Sequence, residues 1–318
     1  MFGEDFRAKA FLYLGFFLTL FGYAGRFFAV EPVHNLFFPF AAWSYVLLAD
    51  NLSWRIKGSS ALVSRTEEFL YAAAGSVALA AAAELLNLRL DAWHYFDQSS
   101  VLSTRWAGRL FGWGAALPSI FATCELLSAF GLFRSARSRP FRLRPGLPKA
   151  LALSGGGALA AAAAYPSALW PLAVPALLLL SEALNLRLGL PSLFRELAGG
   201  LPAKTLRLAA AGLICGLLWG WWNRGSGGNW QLSLEAFPGA LRYLPAVFPL
   251  LGPAAYSFYS LASWLRAGKS WEDIPWTMPG RPPGGRVRLA ALLIIIITSY
   301  TALRAVDAYT VRMYLGWL

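Results

Sequence analysis

Residues 68–88 read EFLYAAAGSVALAAAAELLNL, a stretch in which nothing between Phe69 and Ala83 carries charge. A helix needs about 20 apolar residues to cross the roughly 30 Å of hydrocarbon in a bilayer. The run is continuous and rich in Ala and Leu, whereas a membrane strand alternates every second residue over about ten positions. The segment therefore predicts a transmembrane helix, the conformation that satisfies its own backbone hydrogen bonds in lipid.

Outward from this segment, similar stretches recur at 10–29, 35–50, 110–133, 150–167, 168–186, 207–223, 243–265 and 288–305. Composition agrees: 57% of the 318 residues are hydrophobic and 14% charged, outside the usual range of globular domains. The expected fold is all-α, a polytopic transmembrane bundle of nine helices with little outside the bilayer. Arg7 and Lys9 precede an apolar run as in a signal peptide, but no small-x-small cleavage site follows, so 10–29 reads as the first span.

The net charge of +12 raises the possibility of a nucleic-acid partner. The basic residues instead lie between apolar spans, without an aromatic-basic nucleotide-binding motif, so no nucleic acid is expected. Topology explains them. With a cytoplasmic N-terminus, the loops 1–9, 51–68, 134–149, 187–207 and 266–288 hold 20 of the 28 Lys and Arg. The run Arg134, Arg137, Arg139, Arg142, Arg144 and Lys149 contains no acid and marks a cytoplasmic loop attracted to anionic headgroups. Nine spans then put the C-terminus outside, as a multi-pass protein of a bacterial inner membrane.

The two halves of the chain match at an offset of 132 to 137. Pro39 pairs with Pro171, Asp50 with Glu182, Arg55 with Arg187, Ser60 with Ser192, Asn87 with Asn223, Trp93 with Trp230 and Pro118 with Pro253. Matched spans start on the same side of the membrane, which predicts parallel four-helix units. The expected division is 1–149 and 150–266, followed by 267–318, a Pro/Gly-rich linker at 275–285 and the last helix.

Intramembrane carboxylates are the most informative residues, because an unpaired charge in lipid costs several kcal/mol. Asp50 and Glu182 lie close in sequence to Arg55 and Arg187, which predicts ion pairs at helix ends. Glu84 and Glu125 have no acidic mates: Gly220 and Ser260 occupy the nearest aligned positions. Glu84 and Asn87 share a helix face, and the next loop brings Asp91, Trp93, His94, Tyr95 and Asp97 to the same surface.

A carboxylate, an imidazole, an amide and a phenol at one interface could transfer protons to a ligand lying half in lipid. In that reading Glu84 or His94 is catalytic, while Asn87 and Tyr95 orient the ligand. Hydrogen bonding to neighbouring segments is the structural alternative. Trp93, Trp219, Trp221, Trp222 and Trp230 suit an aromatic belt at the membrane interface. Trp93, Glu125, Trp222, Asn223 and Trp230 would be further ligand contacts.

Glu125 falls near the middle of its expected span, seven residues after Pro118, and is either a hydrogen-bonding group or part of a proton relay. His34 and His94 lie far apart in sequence and Cys124 and Cys215 fall inside spans, so neither a metal nor another cofactor is expected. Gly155, Gly156 and Gly157 point to close helix packing rather than phosphate binding.

The segments Glu84-Leu-Leu-Asn87 with Trp93-His94-Tyr95, and Gly212-Leu-Ile-Cys-Gly-Leu-Leu-Trp219-Gly-Trp-Trp-Asn223, resemble an uncharacterised group of duplicated bacterial inner-membrane proteins. The resemblance covers residues 36 to 265 and implies the repeated helical fold without a function. Its second repeat reads Leu-Trp-Glu-Phe-Trp-Asn, so Gly220 departs at the acidic position. The small repeated helical units, with Trp-x-Tyr before a Pro-led helix, are also similar to the lycopene cyclase domain of bacterial carotenoid synthesis. Those domains carry paired acids just after that Pro, where this chain has Ser119-Ile120 and Ala254-Ala255.

The functional expectation is an outer-leaflet site for an amphipathic or isoprenoid-like lipid, with membrane lipids as partners. A non-catalytic membrane subunit assembling with protein partners is the second reading. A proton-coupled carrier using Glu125 is the third.

Overall fold

A computed structural model describes residues 3–233, 244–266, 269–272 and 283–316. The chain is an all-α helical bundle and a multi-pass membrane protein. Among the described residues, seven helical segments are long and apolar enough to cross a bilayer: 4–27, 66–90, 102–129, 147–164, 166–188, 203–225 and 285–310. The Pro/Gly-rich stretch 275–285 lies almost wholly outside the described residues.

The first half comprises α1 (Glu4–Phe27), α2 (Phe37–Lys57), the short α3 (Ala61–Ser64), α4 (Thr66–Leu90), strands β1 (Trp93–Phe96) and β2 (Gln98–Ser99), α5 (Leu102–Gly114) and α6 (Ala116–Ala129). The second half comprises α7 (Leu147–Ala164), α8 (Pro166–Leu169), α9 (Ala173–Leu188), the short α10 (Leu193–Ala198), α11 (Ala203–Gly225), β3 (Asn229–Leu232) and α12 (Leu244–Ser263). Helix α13 (Gly285–Ala305) continues through a π turn to Thr310, and β4 (Tyr314–Leu315) follows.

Two expected spans, α2 and α12, fall outside the seven. Physical reasons are visible for α2: one face buries Ser44, Asp50, Asn51 and Ser53 together with Val46 and Leu47, against α1, α6 and α11. A helix encased by protein is not held to the hydropathy that lipid demands. Helix α12 packs in the same way on α9 and α11.

Glycine sets the closest approach. A Cβ on Gly252 of α12 would lie 1.9 Å from the Leu208 carbonyl oxygen of α11, so these backbones meet directly. Of the three consecutive glycines in α7, Gly155 alone performs this role, against Leu179 and Leu180. A methyl group added at Gly156 or Gly157 would meet nothing within 4 Å, which narrows the packing expectation to one residue.

The break between α5 and α6 has an identifiable cause. Pro118 lacks the N–H that would continue the helix ladder. Ser76 of α4 stitches the gap: its Oγ donates to the Trp113 carbonyl at 2.5 Å and accepts from Leu117 N at 3.0 Å. The main core lies nearby, where Leu117, Phe121, Leu208, Tyr256 and Tyr259 are buried and Phe121 stacks on Trp271 at 4.5 Å.

Both ends of the bundle are organised by polar contacts. At one end β1 pairs antiparallel with β3, Trp93 opposite Leu232 and Phe96 opposite Asn229, while β2 pairs in parallel with β4. These short strands tie the connection after α4 to those after α11 and α13. At the other end lie the α2–α4 turn, α10 and the basic run, whose Ser138 and Phe141 amides donate to the Gly200 and Ala198 carbonyls.

Candidate functional site

The strand end of the bundle gathers most of the residues singled out from sequence. Glu84, 4% exposed in the last turns of α4, accepts from the Tyr95 hydroxyl at 2.5 Å and from Trp93 Nε1 at 3.2 Å. Helix α4 ends at Asp91 in the left-handed conformation, φ 49°, which turns the chain back so that β1 lies over its own helix. Burial and the adjacent Glu84 carboxylate hold the Tyr95 phenol well above its ordinary pKa, so it acts as a donor.

Asn87 is fully committed to this turn. Its Oδ1 accepts from Ala92 N at 2.8 Å and Trp93 N at 3.2 Å, and its Nδ2 donates to the Trp93 carbonyl at 2.8 Å. Asn223 does the same at the end of α11, donating to the Trp230 carbonyl at 2.6 Å and accepting from Trp230 N at 2.9 Å. Both amides shape the chain, and neither has its hydrogen-bonding groups turned toward a ligand.

Behind Tyr95 lies a buried ionic cluster that sequence reasoning missed. Arg105 donates to both carboxylate oxygens of Asp307 at 2.8 and 3.0 Å, Trp106 Nε1 donates to Oδ2 at 2.8 Å, and Arg109 pairs with Oδ1. The Arg109 guanidinium also lies over the Tyr95 ring, 5.3 Å from its centre. Signals for the cluster existed: Arg105 and Arg109 are one helical turn apart, and the last helix continues past 305 to carry Asp307.

Only some of these groups reach an open space. A cleft of about 270 Å³ is lined by Asn87, Leu88, Asp91, His94, Tyr309 and Thr310, where α4 and the π turn after α13 end side by side. His94 Nδ1 lies 3.0 Å from Ser233 Oγ, while its Nε2 is 2.6 Å from Arg312 Nη2 and 2.9 Å from Asp91 Oδ1. Burial and the Arg312 charge lower the His94 pKa against the opposing pull of Asp91. A neutral His94 with its proton on Nδ1 donates to Ser233 and accepts from Arg312.

Of the two alternatives for a proton-transfer group, Glu84 and His94, the cleft is lined by His94. Glu84 does not line the cleft, and its oxygens are engaged by Trp93 and Tyr95. Tyr95 is likewise held by Glu84 rather than presented to a ligand. Trp222 is 5% exposed and packs on Phe38 and Tyr45, a core residue. Trp221, in contrast, is 66% exposed, as an interfacial belt residue would be.

The placement of Glu125 is corrected. Helix α6 ends at Ala129, so Glu125 lies in its last turns rather than near mid-span. It accepts from Lys57 Nζ at 2.5 Å, Arg65 Nη2 at 2.6 Å and Ala61 N at 3.2 Å. Arg65 starts α4 and Glu84 stands near its end, roughly 28 Å apart along the helix at 1.5 Å per residue. Glu125 therefore belongs to the opposite end of the bundle from the cleft.

Asp50 and Glu182 do not pair with the expected Arg55 and Arg187. Asp50 accepts from Ser60 Oγ at 2.6 Å and Leu62 N at 3.0 Å; Glu182 accepts from Ser192 Oγ at 2.5 Å, Ser257 Oγ at 2.6 Å and Leu193 N at 3.2 Å. Arg55 instead donates to Asn51 Oδ1, and Arg187 is exposed. Hydroxyls and free amides at the starts of α3 and α10 reach buried carboxylates that a flexible arginine on the far helix face does not.

Among the described residues, no group of three His, Cys, Asp or Glu side chains is placed to hold a metal ion. The chain matches no family model, no curated protein and no solved structure.

Proposed function

We propose that this membrane protein binds an amphipathic lipid by its headgroup, in the cleft where α4 and α13 end together. The observation that carries this reading is the make-up of the cleft wall. Asp91, His94 and Thr310 adjoin Leu88 and Tyr309, which are 44% and 70% exposed where apolar helices reach their ends. Polar groups beside exposed apolar ones at that depth suit a ligand that is half in lipid.

Size narrows the occupant. The cleft of about 270 Å³ falls below the roughly 300–1,000 Å³ of pockets that enclose drug-sized ligands. A headgroup fits, with its acyl or isoprenoid-like chains left in the bilayer. If the lipid is also transformed, His94 is the proton-transfer group, because it lines the cleft.

The membrane is a bacterial inner membrane in this reading, with the cleft at the outer leaflet, the N-terminus cytoplasmic and the C-terminus periplasmic. The skew of 20 of 28 basic residues to the loops read as cytoplasmic from sequence supports that orientation. The two halves are proposed to be parallel repeats. Support comes from paired contacts: Ser60 to Asp50 and Ser192 to Glu182, and the Asn87 and Asn223 turns that each tie down a tryptophan.

A phospholipid carrying a photoactivatable diazirine in its headgroup tests the reading on protein in native-composition nanodiscs. Cross-links should concentrate in the peptides around 88–94 and 309–312. Labelling spread evenly over the outer surface of the bundle would remove the cleft as a binding site.

A further inference from the structure

Two exposed charges of opposite sign, Asp91 of the cleft lining and Arg312 beside it, converge on one atom of His94. His94 Nε2 lies 2.9 Å from Asp91 Oδ1 and 2.6 Å from Arg312 Nη2. A single ring nitrogen either accepts a hydrogen from the guanidinium or donates one to the carboxylate, and cannot do both in one protonation state. With His94 neutral and its Nδ1 proton on Ser233, Arg312 is satisfied and Asp91, whose side chain is 68% exposed, is left facing an unprotonated nitrogen.

From this geometry we infer that the site selects a zwitterionic headgroup, a phosphate and a primary ammonium on one short linker. The ammonium meets Asp91 and the phosphate meets Arg312. The inference rests on the lipid-binding reading above and adds the headgroup class to it. Asp91 and Arg312 are separated by no more than their two contacts to the shared nitrogen, a gap that a two-carbon linker spans.

Other headgroups satisfy only part of the site. A purely anionic phospholipid gains Arg312 but brings its charge against Asp91. A quaternary ammonium has no N–H to donate to the carboxylate. Arginine suits phosphate because its planar fork gives paired N–H donors, of which His94 takes one. Leu88 and Tyr309 at the cleft wall meet the start of the chains.

The test is competitive retention measured by native mass spectrometry on delipidated full-length protein. Dioleoyl phosphatidylethanolamine, phosphatidylglycerol and phosphatidylcholine would be added at equal concentration. Wild-type protein should retain phosphatidylethanolamine over either competitor by about tenfold, the factor a charge-assisted hydrogen bond supplies. Asp91→Asn should erase the preference over phosphatidylglycerol. Asparagine also tolerates the left-handed backbone at this position, so the turn survives. Arg312→Gln should weaken all three.

Equal retention of the three lipids by wild-type protein, lost when Thr310→Trp fills the cleft, would overturn the zwitterion inference and leave lipid binding standing. An unchanged preference in Asp91→Asn would do the same. No specific retention of any lipid would overturn both.

Discussion

The Tyr95 hydroxyl donates to Glu84 Oε1 at 2.5 Å, and this bond fastens the first strand to the end of the helix that precedes it. Trp93 Nε1 reaches the same carboxylate. A buried carboxylate that loses one of so few donors is left partly unsatisfied, at a cost of about 1–3 kcal/mol. Tyr95→Phe should therefore lower the stability of the protein in mild detergent by that amount. Glu84→Gln should cost less, and the double variant should cost less than the two single changes together. Additive effects in thermal unfolding would show that the hydroxyl and the carboxylate do not cooperate.

Asp307 forms ion pairs with both Arg105 and Arg109, which are buried. Among the described residues, Arg109 reaches Asp307 through Nη1 alone, and its buried Nε and Nη2 have no hydrogen-bond acceptor. Removing the acid breaks both pairs, which for a buried pair costs about 3–5 kcal/mol. Asp307→Ala should destabilise the protein by that order and loosen α13, exposing the bond after Arg312 to trypsin in detergent. Unaltered melting together with unaltered proteolysis would mean that the arginines find other solvation.

What the sequence disclosed, and what it hid, follow from how local each signal is. The helices were legible because lipid-facing segments such as 68–88 declare themselves by composition alone. The shared face of Glu84 and Asn87 was legible from helical spacing. Their partners were less so: Asn87 bonds the backbone of its own turn, which no side-chain pattern encodes. Glu125 was misplaced because its span was extended to 133, whereas the helix stops at Ala129. Its cations, Lys57 and Arg65, lie about 60 or more positions away in sequence. Asp307 was missed for a similar reason, since the π turn carrying it follows the apolar run that defines the last span. The pairing of β1 with β3 depends on bringing together strands of four residues from different halves, too short to announce a partner.

Ser60 and Ser192, which the proposed repeat makes equivalent, each cap a short helix and donate to a buried carboxylate. Loss of either hydroxyl removes an N-cap, worth about 0.5–2 kcal/mol, and one donor to the acid. Ser60→Ala and Ser192→Ala should therefore destabilise by similar amounts and additively, because each acts within its own half. A large cost at one position and none at the other, read from thermal unfolding, would break the proposed equivalence.

His94 gives the stability a pH dependence whose sign can be worked out. Burial, with the Arg312 charge, lowers its pKa in the folded protein below the ordinary value near 6.5. Between those two values the unfolded chain binds the proton and the folded chain does not, so stability rises with pH. The contribution is complete above about pH 6.5 and declines as pH falls toward the folded pKa. Melting temperatures of wild-type protein and His94→Gln should converge on acidification through this window. Parallel curves would show that His94 is not the titrating group.

Orientation is tested with cysteines placed at the two ends of the bundle. Cys124 and Cys215 are 3% and 1% exposed, so the folded native chain should not react with a membrane-impermeant maleimide. Val101 is 43% exposed beside the strands, and Arg137 is exposed within the basic run. In the orientation proposed from the positive-inside rule the run is cytoplasmic. Val101→Cys should then be labelled on intact cells, and Arg137→Cys only after lysis. The reverse pattern would move the cleft to the inner leaflet while leaving its lining unchanged. Labelling at both positions on intact cells would mean that the two ends are not separated by the bilayer, contrary to the helix lengths.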